Sequence, residues 1–241
     1  MQSYSNLAPP LISQSPANSE ATILDSYVAN KKFYLFLKRI ADISGSLFFI
    51  IAVLSWLTPL VALAIIFESK GPVFFRQRRI GKNGKYFFCL KFRTMIENDE
   101  ADERQAEEND YRITRVGKFL RHTNIDELPQ LINVLRGEMS LIGPRPHMIS
   151  DCTRFSFVIP AYKFRTLMRP GITGLAQVKG YHGPTADYES IFTRFHWDAE
   201  YIRKASPWMD MKIVVKTVLQ SFYNLANCFY TKNKEPIAWL F

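Results

Sequence analysis

The sequence contains few cysteines and none of the spacings that cysteine chemistry requires. Cys89, Cys152 and Cys228 are scattered along 241 residues, so they indicate neither a disulfide framework nor a Cys/His zinc site. Internal repeats are lacking, and only one long apolar run is present. The absence of paired cysteines favours a reducing, cytosolic environment. The length favours one domain with appendages.

The apolar run is Ile43–Phe67, 25 residues without a charged side chain. As a straight helix it would be about 37 Å long, enough to cross a bilayer core of about 30 Å. The run starts too far along the chain, and is too long, for a standard cleaved signal peptide. It therefore predicts a helix embedded in a membrane.

Two topologies remain open for this helix. Lysines and arginines flank both ends, and such residues prefer the cytoplasmic side. A straight span cannot place both ends on one side, whereas a re-entrant helix that bends at Thr58–Pro59 can, because proline removes a helical hydrogen bond. In the lead-in Lys31–Asp42, we expect Lys38 and Arg39 to anchor the helix at the depth of the lipid phosphates.

The rest of the sequence predicts an α+β fold, in which the membrane helix is joined by a small β-hairpin and interfacial amphipathic helices. Val73–Gln77 and Tyr86–Arg93 have strand composition, and Asn83-Gly84 between them is typical of a hairpin. Helical patterns occur at Leu128–Leu135, Phe155–Arg169, Asp187–Lys204 and Trp208–Tyr223, the last suited to lying along a bilayer. Ser140–Pro146 and Arg169–Gly180 are predicted to be loops. The acidic segment Glu97–Asp110 is interpreted as a solvated surface.

The net charge of +9 and the pI of about 9.5 favour anionic partners. Membrane lipids, nucleotide phosphates and nucleic acid all meet this condition. The basic residues cluster beside the apolar helix and near an Asp-Glu pair rather than along one recognition helix. This distribution argues against nucleic acid.

Asp126 and Glu127 are the candidate reactive groups. Thr123 or Asn124 would cap the following helix, and the pair would lie in its first turn, where the helix dipole keeps carboxylates ionised. Most such pairs only cap a helix, so the pair by itself is a weak signal. The nearby cations suited to binding a diphosphate are Lys91, Arg93, Arg121 and Arg145.

Four ordered blocks carry a family resemblance. They are Lys38-Arg39 with Asp42 before the apolar run, residues 71–95, residues 112–146 with the Asp-Glu pair, and residues 169–180. Together they resemble the bacterial sugar transferase family, the monotopic phosphoglycosyl transferases that start the assembly of capsule, exopolysaccharide or glycoprotein glycans. The match covers roughly residues 33 to 223 and is similar to the short form of the family.

The resemblance implies transfer of a sugar-1-phosphate from a UDP-sugar to polyprenyl (undecaprenyl) phosphate, with release of UMP. Asp126 would attack the β-phosphate and form a phosphosugar–aspartate intermediate, with Glu127 as its partner and Mg²⁺ bound at both carboxylates. Such covalent catalysis divides one difficult transfer into two steps. The implied location is the cytoplasmic face of the bacterial inner (plasma) membrane.

The resemblance also implies further site residues. Arg121 matches a position near the Asp-Glu pair, and Arg145 matches one that contacts phosphate. Arg169 and Gln177 match a block near the nucleotide. Residues 122–125 differ from the Lys-Thr-Ser-Leu that the family often has, and Thr58-Pro59 stands where the family has a Ser-Pro-like pair. We interpret all four histidines as surface residues: His122, His147, His182 and His196.

On this basis the chain divides into a tail at 1–30, a lead-in and membrane helix at 31–70, a catalytic domain at 71–228 and a tail at 229–241. One alternative is a non-catalytic, membrane-tethered protein that binds nucleotide sugars or acts as a scaffold. The intact Asp126-Glu127 pair argues against this alternative. The sequence leaves open the identity of the sugar, the polyprenol length and whether copies associate as a homo-oligomer.

Overall fold

A computed structural model of the protein describes residues 28–97, 110–181 and 188–230. The N-terminal tail up to residue 27, most of the acidic segment, His182 and the C-terminal residues 231–241 lie outside this part, so the predictions for them stay predictions.

The described residues form helices, short 3₁₀ turns and two small sheets, which agrees with the α+β class. The helices are α1 (Lys32–Phe49), α2 (Ser55–Glu68), α3 (Arg115–His122), α4 (Gln130–Leu135), α5 (Ile149–Val158), α6 (Leu175–Val178), α7 (Tyr188–Lys204) and α8 (Pro207–Tyr230). The strands are β1 (Phe74–Ile80), β2 (Tyr86–Phe92), β3 (Ser140–Ile142) and β4 (Gly171–Thr173). β1 pairs antiparallel with β2, and β3 pairs parallel with β4.

Helices α1 and α2 join through a π-helical turn at Ile50–Leu54. The combined helix Lys32–Glu68 is, among the described residues, the one long and apolar enough to cross a membrane. Its large apolar side chains are turned outward: Ile51 is 65% exposed and Phe67 is 86% exposed. Because such exposure is unfavourable in water, it suggests association with a membrane.

The irregular turn of this helix lies earlier than the sequence predicts. Helix α2 continues through Pro59, and the hydrogen-bonding pattern changes at Ile50–Leu54 instead. A proline ring clashes with the carbonyl four residues earlier, here Ser55, which directly follows the π turn. The helix therefore accommodates the proline about one turn ahead of it. Two side chains stabilise this turn: Ser55 Oγ and Trp56 Nε1 donate to backbone carbonyls 2.7 and 2.8 Å away.

The expected position of Lys38 and Arg39 at the lipid phosphates is corrected by the structure. Lys38 is 9% exposed, and its ammonium lies 2.9 Å from the Asp210 carboxylate. Arg39 donates to the carbonyls of Val134 and Leu135, at 2.7 and 3.0 Å. These carbonyls lie at the end of helix α4, where the helix dipole attracts a cation. Both side chains thus attach α1 to the domain.

The β-hairpin confirms the prediction from Asn83-Gly84. Both residues have positive φ, 55° and 75°, in the loop that joins β1 to β2. Gln77 faces Cys89 across the pair, and both are buried on the inner face. Because side chains alternate along a strand, Arg79 and Lys91 lie on this same inner face.

The segment Arg169–Gly180, predicted as a loop, contains β4 and α6 instead. A two-stranded parallel sheet forms because glycines let two backbones meet. A Cβ atom at Gly171 would lie 2.0 Å from the amide nitrogen of Gly143, and one at Gly143 would lie 2.4 Å from the Arg169 carbonyl oxygen. Such close approach admits only glycine. This contact places β4 beside the loop that carries Arg145.

The membrane helix and the domain share a core. Val61 and Ile65 of α2 pack with Phe92 of β2 and Leu120 of α3. A second cluster, around Tyr201 and other buried residues of α7, forms the main core of the domain. Helices α7 and α8 confirm the patterns predicted at Asp187–Lys204 and Trp208–Tyr223, although α8 continues further, to Tyr230.

Candidate active site

Asp126 and Glu127 lie in a 3₁₀ turn, Ile125–Glu127, between α3 and α4. Asn124 reverses the chain with a φ of 57°. Thr123 does not cap the following helix as predicted, because its hydroxyl donates to carbonyls at the end of α3, 2.9 and 3.2 Å away. The pair therefore lies in a turn before a six-residue helix rather than in the first turn of a longer one.

Glu127 is fixed by two cations. Lys91 Nζ lies 2.6 Å from Oε1 of Glu127, and Arg145 donates to Oε1 at 2.6 Å and to Oε2 at 3.1 Å. The arginine contact is bidentate, the strongest geometry available to a carboxylate. Burial alone would raise the pKa of Glu127, but Arg145 and Lys91 outweigh it and hold the pKa well below its usual range. Glu127 is therefore favoured as an anion at neutral pH.

Asp126 is in the opposite situation. It is 7% exposed, and its carboxylate accepts no hydrogen bond from any residue in the described part of the chain. Burial raises the pKa of Asp126 to about 6, assisted by the negative charge of Glu127 and opposed by Lys91 and Arg121. A desolvated carboxylate without hydrogen bonds has its lone pairs available, which suits a nucleophile.

The two cations that hold Glu127 come from separate elements. Lys91 projects from the inner face of β2, and Arg145 lies in the loop that follows β3. A third cation, Arg79, lies on the inner face of β1 and donates to the carbonyl of Pro146 at 3.1 Å. Burial lowers the pKa of Arg79 from its ordinary value. The hairpin and this loop thus enclose the Asp-Glu turn with positive charge.

Arg121 also belongs to this group, whereas Arg93 does not. Arg121 is partly exposed at the end of α3, and its charge lowers the pKa of Asp126. Arg93 is buried and donates to the carbonyls of Ser69 and Lys70 at 2.6 and 2.9 Å. Its guanidinium thus closes the end of α2, and the expectation that it binds a substrate phosphate is corrected.

The two predicted nucleotide contacts are used within the fold. Arg169 Nε donates to the Gly137 carbonyl at 2.9 Å, beyond the end of α4. Gln177 Nε2 donates to the Ile172 carbonyl at 2.9 Å. Neither is hydrogen-bonded to the cations or carboxylates of the Asp-Glu turn. The structure thus brings together Asp126, Glu127, Lys91, Arg121 and Arg145.

Sequence reasoning missed a buried polar network behind this site. His147, interpreted as a surface residue, is 5% exposed, and its Nδ1 is hydrogen-bonded to the Tyr162 hydroxyl. Burial and nearby arginines lower the pKa of His147 well below its usual range, so the ring is neutral. Arg165 and Asp198 form an ion pair beside it at 2.6 Å. The strand alternation of β1 and β2 could have identified Arg79, but no local pattern indicates this network.

The sequence model of the family described as "Bacterial sugar transferase" matches residues 33–224. The chain belongs to the bacterial sugar transferase family.

Relatives of the chain carry related names. A protein of Caulobacter vibrioides named "UDP-glucose:undecaprenyl-phosphate glucose-1-phosphate transferase" is 48% identical, over 75% of this chain and 68% of its own length. One of the same name from Escherichia coli is 48% identical, over 69% of this chain and 36% of its own length. A "UDP-N-acetylgalactosamine-undecaprenyl-phosphate N-acetylgalactosaminephosphotransferase" of Aeromonas hydrophila is 45% identical, over 77% and 43%. The chain thus spans less than half the length of two of these relatives.

The Asp-Glu turn offers Mg²⁺ one carboxylate. Both oxygens of Glu127 already accept hydrogen bonds from cations, whereas the Asp126 carboxylate is free. Within the described ranges, no group of three or more His, Cys, Asp or Glu side chains could hold a metal ion. Mg²⁺ typically uses one or two carboxylates together with substrate phosphates. Asp126 and a bound diphosphate fit that pattern.

Proposed function

We propose that this protein transfers a sugar-1-phosphate from a UDP-sugar to polyprenyl phosphate, with release of UMP. The observation that carries the proposal is the contrast within the Asp126-Glu127 pair. One buried carboxylate is free, and its neighbour is fixed by Lys91 and Arg145. The product would be the first lipid-linked intermediate in the assembly of a polysaccharide or another glycoconjugate.

The transfer would proceed in two displacements at one phosphorus atom. First, an Asp126 oxygen bonds to the β-phosphorus, and the bond from this phosphorus to the oxygen bridging the α-phosphate breaks. UMP leaves with that oxygen and its electron pair. Next, a phosphate oxygen of polyprenyl phosphate bonds to the same phosphorus, and the bond to Asp126 breaks. The carboxylate is restored, as covalent catalysis requires.

The charges around the site support an anionic substrate. Lys91, Arg121, Arg145 and Arg79 are electrostatically coupled to the two carboxylates. Four cations against Asp126, Glu127 and Asp151, whose charge acts on Arg79, still leave an excess of positive charge in a largely buried region. A diphosphate would compensate this excess, and arginines stabilise the charge that develops during phosphoryl transfer.

Glu127 would act as an anchor for cations rather than as a base. Its low pKa makes it a poor proton acceptor. Its three hydrogen bonds hold Lys91 and Arg145 beside the free carboxylate before any substrate arrives. Mg²⁺ bound near Asp126 and the diphosphate would supply additional neutralisation of phosphate charge.

We further propose that the helix Lys32–Glu68 is re-entrant and that the domain lies on the cytoplasmic face of the plasma membrane, in contact with its lipids. Both halves of this helix contact the same domain. Lys38 of α1 forms an ion pair with Asp210, and α2 packs on α3. Single cysteines at the exposed positions Lys32 and Lys70 test this topology. Labelling of the two from opposite sides would eliminate the re-entrant helix.

The decisive test of the reaction is incubation with a UDP-sugar alone. Mass spectrometry should find a phosphosugar adduct on the peptide that contains residue 126, together with one equivalent of UMP. Asp126→Asn should show neither, whereas Glu200→Gln, a matched carboxylate-to-amide change on the surface of α7, should show both. A donor that binds without any UMP release would instead favour the scaffold alternative.

The sugar is the least constrained part of this proposal. Relatives of similar identity are named for glucose and for N-acetylgalactosamine. A panel of UDP-glucose, UDP-galactose and UDP-N-acetylgalactosamine, with a short polyprenyl phosphate as acceptor, would rank the donors by kcat/KM.

A further inference from the structure

A buried ion pair lies directly behind the loop that carries Arg145. Arg165, in a 3₁₀ turn, is 5% exposed, and Asp198, on α7, is 2% exposed. Removing two charges from water is costly, and such a pair is weak evidence for a contribution to stability. The presence of an ion pair at this depth therefore calls for another explanation.

The contacts of Arg165 indicate one. Its Nη2 donates to the Asp198 carboxylate at 2.6 Å and to the backbone carbonyl of Arg145 at 2.7 Å, and its Nη1 donates to the Tyr162 hydroxyl at 3.0 Å. The same hydroxyl is hydrogen-bonded to the ring of His147. The network therefore holds the chain at residues 145 and 147, on both sides of Pro146.

We infer that Arg165 and Asp198 are positioning residues for the transfer reaction, because they fix the backbone from which Arg145 reaches Glu127. Arg145 lies in irregular structure, and its long side chain has many rotamers. A bidentate contact tolerates only a small displacement of the backbone that carries it. Asp198 holds Arg165 in place, and Arg165 holds Arg145. This inference rests on the proposed function, because the position of Arg145 affects the reaction only through the substrate phosphate that Arg145 binds.

The loop is also held from its other side, where Arg79 donates to the Pro146 carbonyl at 3.1 Å. The hairpin and the 3₁₀ turn Tyr162–Thr166, whose Arg165 is held by Asp198 of α7, therefore contact the segment 145–147 from different sides. Apolar side chains of similar volume beneath the loop could pack equally well, but they could not donate a hydrogen bond to the Arg145 carbonyl. The network is thus suited to orientation more than to packing.

The test compares Arg165→Gln and Arg165→Lys with Arg112→Gln. Arg112 is a matched control because it forms another buried ion pair, with Asp110 at 2.6 Å, in the segment just before α3 rather than in the 3₁₀ turn that carries Arg165. Donor affinity is measured by calorimetry with a UDP-sugar in an Asp126→Asn background, where turnover is blocked. Donor KM and kcat are measured with Asp126 intact.

Arg165→Gln should weaken donor binding and raise donor KM about tenfold or more, the effect of losing a charge-assisted hydrogen bond, with a smaller change in kcat. Arg165→Lys should recover part of the lost donor affinity. In the wild-type protein a single nitrogen of Arg165, Nη2, donates to both Asp198 and the Arg145 carbonyl, and the lysine nitrogen can do the same. Arg112→Gln should leave donor affinity unchanged. Equal effects of the Arg165 and Arg112 changes, or wild-type affinity in both Arg165 variants, would overturn the inference.

The two proposals fail in different ways. The absence of UMP release from the wild-type protein would refute the proposed reaction, while the calorimetric comparison would still decide whether Arg165 positions the anion site. If Arg165→Gln does not fold, as judged by thermal unfolding, Tyr162→Phe replaces it, because this change removes only the hydroxyl shared by Arg165 and His147. A raised donor Kd in Tyr162→Phe supports the inference, and an unchanged Kd overturns it.

Discussion

Replacing the two adjacent carboxylates by amides should change stability in opposite directions. The pKa of Asp126 is raised by burial to about 6, whereas that of Glu127 is held low by Arg145 and Lys91. Asp126→Asn and Glu127→Gln have almost the same shape as the residues they replace. The two variants therefore isolate the effect of charge at neighbouring positions.

For Asp126 the sign follows from proton linkage. Its folded-state pKa of about 6 exceeds the unfolded value of about 3.9, so the native state is favoured below pH 4 and loses this contribution as the pH rises through 6. A difference of two pKa units is about 3 kcal/mol. Above pH 7, Asp126→Asn should therefore raise the free energy of unfolding by about 3 kcal/mol. For a protein of this size that is roughly 6–12 °C in Tm.

For Glu127 the sign is reversed. Its folded-state pKa is depressed, so its contribution to stability is present above the unfolded pKa, near 4.3, and is lost as the pH falls through the folded value. Glu127→Gln leaves Lys91 and Arg145 without their anion in a buried site. Breaking such a pair costs about 3–5 kcal/mol, so the Tm should fall at pH 7 and above.

The assay is thermal unfolding of the three proteins in one detergent, at pH 4 and pH 8. The gain from Asp126→Asn should be present at pH 8 and absent at pH 4, and Glu127→Gln should be the less stable variant at pH 8. If Asp126→Asn is destabilised at pH 8, or if both variants move in the same direction, the electrostatic description of the site is wrong.

Three other predictions follow from the same contacts. The kcat/KM for the UDP-sugar should rise with pH through about 6 and then level off, because Asp126 reacts as an anion; a rise centred near pH 4 would contradict its burial. Lys38→Met should lower the free energy of unfolding by about 3 kcal/mol, since it leaves the Asp210 carboxylate without its cation, and chemical denaturation in micelles would measure the loss. EDTA should abolish UMP release and added Mg²⁺ should restore it, whereas activity that survives complete chelation would exclude the proposed metal.

The elements that sequence could predict are those specified by neighbouring residues. Asn83-Gly84 between two β-rich runs predicted the hairpin because left-handed backbone at both positions favours that turn. The helical patterns near Asp187–Lys204 and Trp208–Tyr223 were likewise local. The family blocks indicated the Asp-Glu pair, which no composition or spacing would have selected by itself.

The errors concern residues whose partners are distant in sequence. Lys38 is paired with Asp210, 172 residues away, so nothing near it in the chain distinguishes an internal ion pair from a lipid anchor. Arg93 was expected at the phosphates together with Lys91, but it lies just beyond the end of β2, and its guanidinium donates to the distant carbonyls of Ser69 and Lys70. Local sequence identifies cations efficiently, but only the tertiary structure shows which of them are already paired.

This use of cations inside the protein changes the meaning of the net charge of +9. From sequence, the basic residues at the start of the apolar helix suggest lipid contacts. In the structure, Lys31 donates to carbonyls at the end of α7 and Arg39 to those at the end of α4. Positive charge near the membrane is therefore no direct measure of lipid binding here. Much of it attaches the apolar helix to the domain.

The attachment has a consequence for catalysis, because both ends of the apolar helix are tied to elements that flank the Asp-Glu turn. Asp42 accepts from the Leu141 amide and the Ser140 hydroxyl of β3, which leads to Arg145. Glu68, at the other end, accepts from the first two amides of α3, which leads to Asp126. The depth of the helix in a bilayer would therefore fix the height of the free carboxylate above the lipid surface, where a polyprenyl phosphate would present its phosphate.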